Sequence, residues 1–174
     1  MHPAILEFLE RQQREGFPDV AGTELSATIP LTDASLNQLL AALLPADAKI
    51  REVLVTADDG NRFAVKVRLS GPSLLPAISV PLKIDEQPRL PERPVLGLTF
   101  AQPSRFVSMA ASTLPAMVTL PPGVHVHENG IAIDLARLLA AHGLDRWLAL
   151  LTDLRLSTRK GAIVLDVRAR LGPT

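Results

Sequence analysis

The stretch VLVTADDGNRFAVKVRL, residues 53–69, decides the fold. Apolar residues occupy every second position before the turn sequence at 58–61 and again after it, where Arg62, Lys66 and Arg68 stand between them. Because side chains alternate between the two faces of a strand, this pattern predicts a β-hairpin with one apolar face and one basic face. The adjacent acids Asp58 and Asp59 are residues that a turn favours, so we do not interpret them as a catalytic pair.

A leucine-rich helix is predicted immediately before the hairpin. Its leucines follow the spacing of one helix face, and Thr32 or Asp33 is placed to cap its first turn. The leucines are Leu36, Leu39, Leu40, Leu43 and Leu44. Further helices are predicted at 3–14, within an N-terminal amphipathic segment 1–18, and at 103–114, 135–139 and 145–151.

Alternating apolar residues predict further strands along the chain. These strands lie at 25–29, 78–84, 96–100, 124–126, 131–133, 154–156 and 163–171. Pro81 cannot donate a backbone hydrogen bond, so the strand at 77–85 is expected at a sheet edge or at a bulge. Pro88, Pro91 and Pro94 predict a stiff, extended link after it.

The chain is expected to form one domain spanning residues 1–174. Its 174 residues are 47% hydrophobic and 21% charged, which is typical of a folded domain with a substantial core. The predicted elements define an α+β fold. We expect a strongly curved, mostly antiparallel sheet of about eight or nine strands wrapped on Leu-rich helices.

Composition and motifs argue against several classes of function. Lys and Arg match Asp and Glu at 18 each, so no net charge draws the protein to nucleic acid. The chain lacks cysteine, and it carries no motif of a serine hydrolase, a zinc protease or a nucleotide-binding loop. The protein is therefore expected to be no enzyme and to need no cofactor.

His125 and His127 stand two residues apart in a predicted strand, so their side chains point to the same face. This spacing suits two ligands of a metal ion, but the further ligand evident nearby is only Glu128. We interpret both histidines as solvent-facing strand residues and expect no metal site.

Two features of the sequence bear on localisation. Residues 1–20 lack the basic start and the long apolar run of a secretory signal. No later stretch reaches the roughly 20 apolar residues that cross a bilayer. The chain is expected to be cytoplasmic, or a mature soluble fragment, without an integral membrane segment.

Two parts of the chain, 24–72 and 130–173, share the order strand, Leu-rich helix, strand, glycine turn and long strand. Some residues also correspond, since VKVRLSGP at 65–72 is echoed by VRARLGP at 167–173. The sequence predicts an internal pseudo-repeat. Chance similarity between amphipathic segments is the alternative.

The phrase LTDASLNQLL at 31–40, together with this repeat, resembles the tubular lipid-binding superfamily, in particular its small bacterial members. The resemblance covers residues 24–171. It implies that highly curved strands wrap a long helix and leave an apolar groove or tube, and it brings no catalytic residues with it.

The function predicted on this basis is non-enzymatic binding of a lipid or other apolar ligand in a groove between sheet and helix. The residues expected to line the groove are Leu36, Leu39, Leu40, Leu43, Phe63, Val65, Val67, Leu98, Phe100 and Phe106. The alternative is a protein–protein interaction or assembly module with a filled core and no ligand. Such a module is expected to use the N-terminal helix or an exposed strand edge to pair with itself, as a homo-oligomer, or with another protein.

Overall fold

A computed structural model of the protein describes Arg11 and residues 18–43, 50–69, 77–101 and 120–171. The strands in these ranges are β1 (Glu24–Thr32), β2 (Ile50–Asp58), β3 (Arg62–Leu69), β4 (Ile78–Glu86), β5 (Val95–Phe100), β6 (Val124–His127), β7 (Gly130–Asp134), β8 (Leu151–Arg159) and β9 (Ala162–Arg170). The helices are α1 (Asp33–Leu43), α2 (Leu135–Ala141) and α3 (Asp145–Leu150), and a 3-10 turn spans Pro18–Val20. The predicted helix at 103–114 lies outside the described residues, as does the one at 3–14 apart from Arg11.

The strands form two antiparallel sheets. The three-stranded sheet has the order β1-β9-β8, and the six-stranded sheet has the order β2-β3-β4-β5-β7-β6. The predicted α+β class with mostly antiparallel strands is confirmed. In place of one large sheet, the described strands divide into two, and neither sheet closes on itself.

The predicted hairpin at 53–69 forms β2 and β3, and Val53 pairs with Val67 across it. Its apolar face belongs to the core of the six-stranded sheet. The buried core residues are Val80, Leu82, Ile84, Leu96 and Leu98, with Phe63, Val65, Ile78, Phe100, Ile131, Ile133 and Leu156 packed against them. Leu82 is only 2% exposed. Because Leu156 comes from β8, this core also joins the two sheets.

Pro81 lies in the interior of the six-stranded sheet, so its predicted position at a sheet edge or bulge is wrong. It sits in β4 between β3 and β5, and it pairs with Ala64 on the β3 side. The backbone nitrogen of Pro81, which has no hydrogen to donate, faces Ala101, one residue beyond the end of β5. The Pro81 carbonyl oxygen accepts from the Ala101 amide at 2.9 Å. The proline is tolerated because the ladder has already ended at the position where its missing N–H would be needed.

The proline-rich link after β4 is a closed turn, and the prediction of an extended link is wrong. The amides of Arg89 and Arg93 donate to each other's carbonyl oxygens at 2.8 and 2.7 Å. The turn between them contains a cis Leu90–Pro91 peptide bond. It returns the chain at once to β5, which pairs with β4.

The order strand, helix, hairpin occurs twice, as β1, α1, β2, β3 and as β7, the two short helices, β8, β9. Each helix follows directly on its strand, and a side chain at the strand end caps it. Thr32 Oγ1 accepts from the Ser35 amide at 3.2 Å, and Asp134 Oδ1 accepts from the Arg137 amide at 3.1 Å. The residues echoed in sequence pair differently, because the second neighbour of β3 is β4 whereas the second neighbour of β9 is β1. The pseudo-repeat stays a prediction.

Helix α1 satisfies the outer edge of β2 with two polar side chains. The Asn37 carboxamide donates to the Val55 carbonyl at 3.0 Å and accepts from the Val55 amide at 2.6 Å. Asp33 Oδ1 accepts from the Ala57 amide at 3.0 Å. The two spacings match. Asp33 and Asn37 are four helical residues apart, a rise of about 6 Å, and their partners Ala57 and Val55 are two strand residues apart, about 6.8 Å.

The outer edge of β8 is satisfied in the same way, by side chains of the other sheet. The Gln87 carboxamide donates to the Leu156 carbonyl at 2.7 Å and accepts from the Leu156 amide at 2.9 Å. Asn61 Oδ1 accepts from the Thr158 amide at 3.4 Å. Asn61 is held in place by the β2–β3 turn, where it adopts a φ of 61°. These bonds anchor the three-stranded sheet against the six-stranded one.

We expect Asn37→Leu to lower the free energy of unfolding by about 1–3 kcal/mol, because both backbone groups of Val55 lose their partners in a part-buried position. Gln38→Leu is the matched control, since Gln38 is the exposed neighbour on the same helix. Urea unfolding followed by circular dichroism measures both variants. Equal stability of the two would show that the edge does not depend on the Asn37 carboxamide.

Candidate functional site

An open cleft of about 620 Å³ crosses β2, β3 and β4 near the β2–β3 turn. Its described lining is Asp33, Thr56, Ala57, Asp58, Arg62, Phe63, Ala64, Pro81, Leu82, Ala101, Lys160 and Gly161. The cleft therefore draws on three strands of one sheet, the start of α1 and the β8–β9 turn of the other sheet. It lies where α1 and the two sheets meet, close to the side-chain hydrogen bonds to the edges of β2 and β8.

A row of small side chains accounts for the space. Thr56, Ala64 and Pro81 are direct cross-strand neighbours, and Ala101 follows them beyond the end of β5. Alternation along the strands puts this row on the face opposite the core, because the adjacent row is Ala57, Phe63 and Leu82. Small residues side by side leave a depression in a sheet surface that larger side chains would fill.

Four charged residues are part of the lining, namely Asp33, Asp58, Arg62 and Lys160. Asp33 is committed to the Ala57 amide, and Arg62 Nε donates to the Asp59 carbonyl at 3.2 Å. Within the described residues, neither Arg62 nor Lys160 takes part in an ion pair. Two cationic groups therefore face the cleft without a carboxylate partner.

The β8–β9 turn brings Lys160 to the cleft. Gly161 adopts a φ of 80°, and its amide donates to the Ala57 carbonyl at 3.0 Å. The amide of Lys160 donates to Asp59 Oδ1 at 3.1 Å. The turn is thus bonded to β2 and to the β2–β3 turn, which fixes Lys160 beside the hairpin that carries Arg62.

The structure places the predicted ligand-binding residues in different surroundings. Phe63 is part of the cleft lining and also packs against the core, as Val65 and Phe100 do, whereas Leu98 is buried in that core. Leu36, Leu40 and Val67 are half-buried, and Leu39 is 54% exposed. The side chain of Leu43 and the whole of Phe106 lie outside the described residues. That these residues contact a ligand stays a prediction.

The sequence-based choice of apolar residues did not include most of the cleft. Ala64, Pro81 and Ala101 are too small to stand out in a hydrophobic pattern, and Arg62 and Lys160 fit a solvated strand and a turn. The signal that brings them together is the strand register, which aligns Thr56 with Ala64 and Pro81. Register depends on contacts between segments and cannot be read from any one of them.

His125 and His127 are exposed on β6, the short edge strand. Among the residues that the structure describes, no group of three His, Cys, Asp or Glu is placed to hold a metal ion. The described helices also include none with both the length and the apolar character needed to cross a membrane.

Comparison of the chain with protein-family models, with curated proteins and with solved structures found no match. The resemblance to the tubular lipid-binding superfamily accordingly rests on the sequence pattern. The function is argued from the geometry and charge of the cleft.

We expect a strong chelator to leave the melting temperature unchanged, because His125 and His127 lack further ligands among the described residues. Thermal unfolding with and without EDTA, followed by circular dichroism, measures this. Zinc added to the chelated protein serves as the control for a weak site. A loss of several degrees on chelation would contradict the interpretation of both histidines as solvent-facing.

Proposed function

We propose that the protein binds an amphipathic small molecule, of the lipid or fatty-acid class, in the cleft across β2, β3 and β4, without a catalytic step. The observation that carries the proposal is the row Thr56, Ala64 and Pro81, beside Arg62 and Lys160, which form no ion pair within the described part of the chain. An apolar floor next to cationic groups suits a molecule with an apolar chain and an anionic head.

The floor supports the apolar part of the ligand. Ala64, Pro81 and Ala101 offer carbon surface with few polar groups, and burial of a chain on such a surface is worth about 0.8 kcal/mol per CH2 group. The cleft volume of about 620 Å³ falls within the usual range of ligand pockets. A chain of moderate length fits this space.

Arg62 and Lys160 support the anionic part. A guanidinium group binds a carboxylate or phosphate through paired N–H donors, and an ammonium group adds a second positive charge. Asp33 and Asp58 also line the cleft, and they disfavour a ligand with several negative charges. A single carboxylate or phosphodiester is the head group that this balance favours.

The finer features of the resemblance are part of the same proposal. In it, the protein is a member of the tubular lipid-binding superfamily whose curved strands wrap Leu-rich helices. The contact of α1 with the edge of β2 supports this, since Asn37 binds the strand while Leu36 and Leu40 are half-buried. The resemblance implies a ligand between helix and sheet, and α1 reaches the described lining of the cleft through Asp33.

A second candidate function is the interaction or assembly module. Strand β1 favours it, because Leu25 is 50% and Ile29 42% exposed on the edge of the three-stranded sheet. Exposed apolar residues on an uncovered strand are typical of a surface that meets another chain. The two functions use different sheets and do not exclude each other.

We expect Ala64→Phe to weaken binding of a fluorescent fatty acid at least tenfold, because the added ring occupies the floor of the cleft. The free energy of unfolding should stay within about 0.5 kcal/mol of the parent, as for a substitution outside the core. Ala132→Phe is the matched control, since Ala132 is a half-buried alanine of β7 outside the described lining. Fluorescence titration measures affinity and urea unfolding measures stability. Unchanged affinity in Ala64→Phe would place the ligand elsewhere, and no binding by the parent would refute the proposal.

We expect Arg62→Gln and Lys160→Gln each to weaken binding of the same probe about tenfold, which is 1.4 kcal/mol. Binding of the methyl ester of the probe should be unaffected, because the ester has no charge to pair with either cation. Lys66→Gln is the control, as Lys66 is exposed on the same face of β3 but lies outside the described lining. Isothermal titration at low and high salt measures the effect. Equal losses for acid and ester would contradict a head-group role for these cations.

A further inference from the structure

Strand β1 has an outer edge with which no strand of the described residues pairs. It spans nine residues, forms one border of the three-stranded sheet, and all of its residues are exposed except the half-buried Leu31. The borders formed by β2 and β8 bind Asn37 and Gln87, and the remaining border, β6, is only four residues long. Among the described sheet edges, β1 is the one with room for another strand.

The direction of the backbone groups of β1 follows from its pairing with β9. The Asp33 amide donates to the Gly161 carbonyl, and the Leu171 amide donates to the Thr23 carbonyl. Both bonds join residues that extend the β1–β9 pairing, and both involve an odd-numbered residue at an end of β1. Because hydrogen-bonded pairs alternate along an antiparallel ladder, the odd-numbered residues of β1 bond to β9. The N–H and C=O groups of the even-numbered residues then point outward, and Pro30 stands at one of these positions.

We propose that β1 pairs antiparallel with β1 of a second copy of this chain, about a twofold axis at Ser26. In this register Ser26 bonds to Ser26 of the second copy, and Glu24 bonds to Thr28 on either side. An axis at Thr28 would set Pro30 against Ser26 and lose a donor on each side. An axis at Ser26 sets Pro30 opposite Gly22, whose amide already donates to the Leu171 carbonyl at 2.7 Å. Pro30 thus disfavours the axis at Thr28 and is compatible with the axis at Ser26.

The apolar side of β1 supports the same pairing. Leu25, Ala27 and Ile29 alternate on one face and continue onto Leu165 and Val167 of β9. In the paired strands Leu25 lies opposite Ala27 of the second copy, so the exposed leucine gains an apolar neighbour. Two three-stranded sheets join into one continuous apolar surface, and the gain comes from residues that are exposed in the single chain.

The charges on the other face of β1 are compatible with a second copy. Arg170 Nη2 donates to Glu24 Oε1 at 2.5 Å, and Thr28 Oγ1 donates to Asp166 Oδ1 at 2.5 Å. The Arg170 guanidinium holds the pKa of Glu24 below its ordinary value, so this carboxylate is charged at neutral pH. In the proposed register Glu24 lies opposite the uncharged Thr28, and Ser26 opposite Ser26. No two like charges on the paired strands face each other directly.

The test is the association state of the full chain. Sedimentation velocity over a wide range of concentration should show a monomer–dimer equilibrium.

Two substitutions at Ser26 test the pairing. Ser26→Pro removes the central outward donor and leaves the bonds to β9 in place. Ser26→Lys sets two positive charges opposite each other beside Arg168. Each substitution should weaken dimerisation at least tenfold. Ser79→Lys, on an exposed position of β4, is the control that should dimerise as the parent does. Urea unfolding checks that all variants are folded.

A mixing experiment tests the register itself. Labelled Ser26→Lys protein should associate with unlabelled Ser26→Glu protein, because the two introduced charges face each other about the axis at Ser26. It should associate with further Ser26→Lys protein far more weakly. A parent that stays monomeric up to millimolar concentration overturns the proposal, as does a dimer unaffected by Ser26→Lys. Failure of the mixture to associate overturns the register. These outcomes are independent of ligand binding in the cleft.

Discussion

The hydrogen bonds from polar side chains to the edges of β2 and β8 are the interactions on which the rest of the structure depends. Asn37 and Gln87 each bind one strand residue through both its N–H and its C=O, as a neighbouring strand would. A part-buried strand edge without such partners would cost free energy at every unpaired group. With them, a helix and a second sheet can lie against the borders of the first. The meeting of α1, the β2–β3 turn and the β8–β9 turn, and hence the cleft, follows from these bonds.

The sheet borders formed by β2 and by β1 differ in how their backbone groups are bonded. The border at β2 is bound by α1 and by Gly161, so it presents side chains and a cleft to solvent. The border at β1 carries outward backbone groups and exposed apolar side chains. Pro30 and the charged Glu24 blunt it, whereas strand edges that avoid other chains commonly carry lysines or several prolines. The first border therefore fits the proposed binding of a small molecule, and the second fits the proposed pairing with a further strand.

Local sequence patterns predicted the elements well where one segment contains all the information. The hairpin at 53–69 and helix α1 are fixed by alternation, turn residues and leucine spacing, which need no distant partner. The position of Pro81 was mispredicted because its tolerance depends on where β5 ends. The roles of Asn37 and Gln87 could not be predicted, since their hydrogen-bond partners are 18 and 69 residues away along the chain. A carboxamide side chain is also common at solvent-exposed positions. The division into two sheets follows from these distant bonds and was missed with them.

The cleft could not be predicted from the sequence for a related physical reason. The same reason determines which substitutions affect the cleft and which affect the core. Hydrophobic periodicity detects the face of a sheet that is buried, and so it selected Val65, Leu98 and Phe100, which pack in the core. The row Thr56, Ala64 and Pro81 of the cleft lies on the opposite face, where Ala64 and Pro81 matter because they are small and in register. Core and cleft share Phe63 and Leu82, but the row of small side chains alternates with the core residues of the same strands. If the proposed ligand binds there, substitution of Ala64 or Pro81 changes the cleft surface while Phe63 and Leu82 keep their places in the core, so the proposed specificity and the stability depend on different residues of β3 and β4.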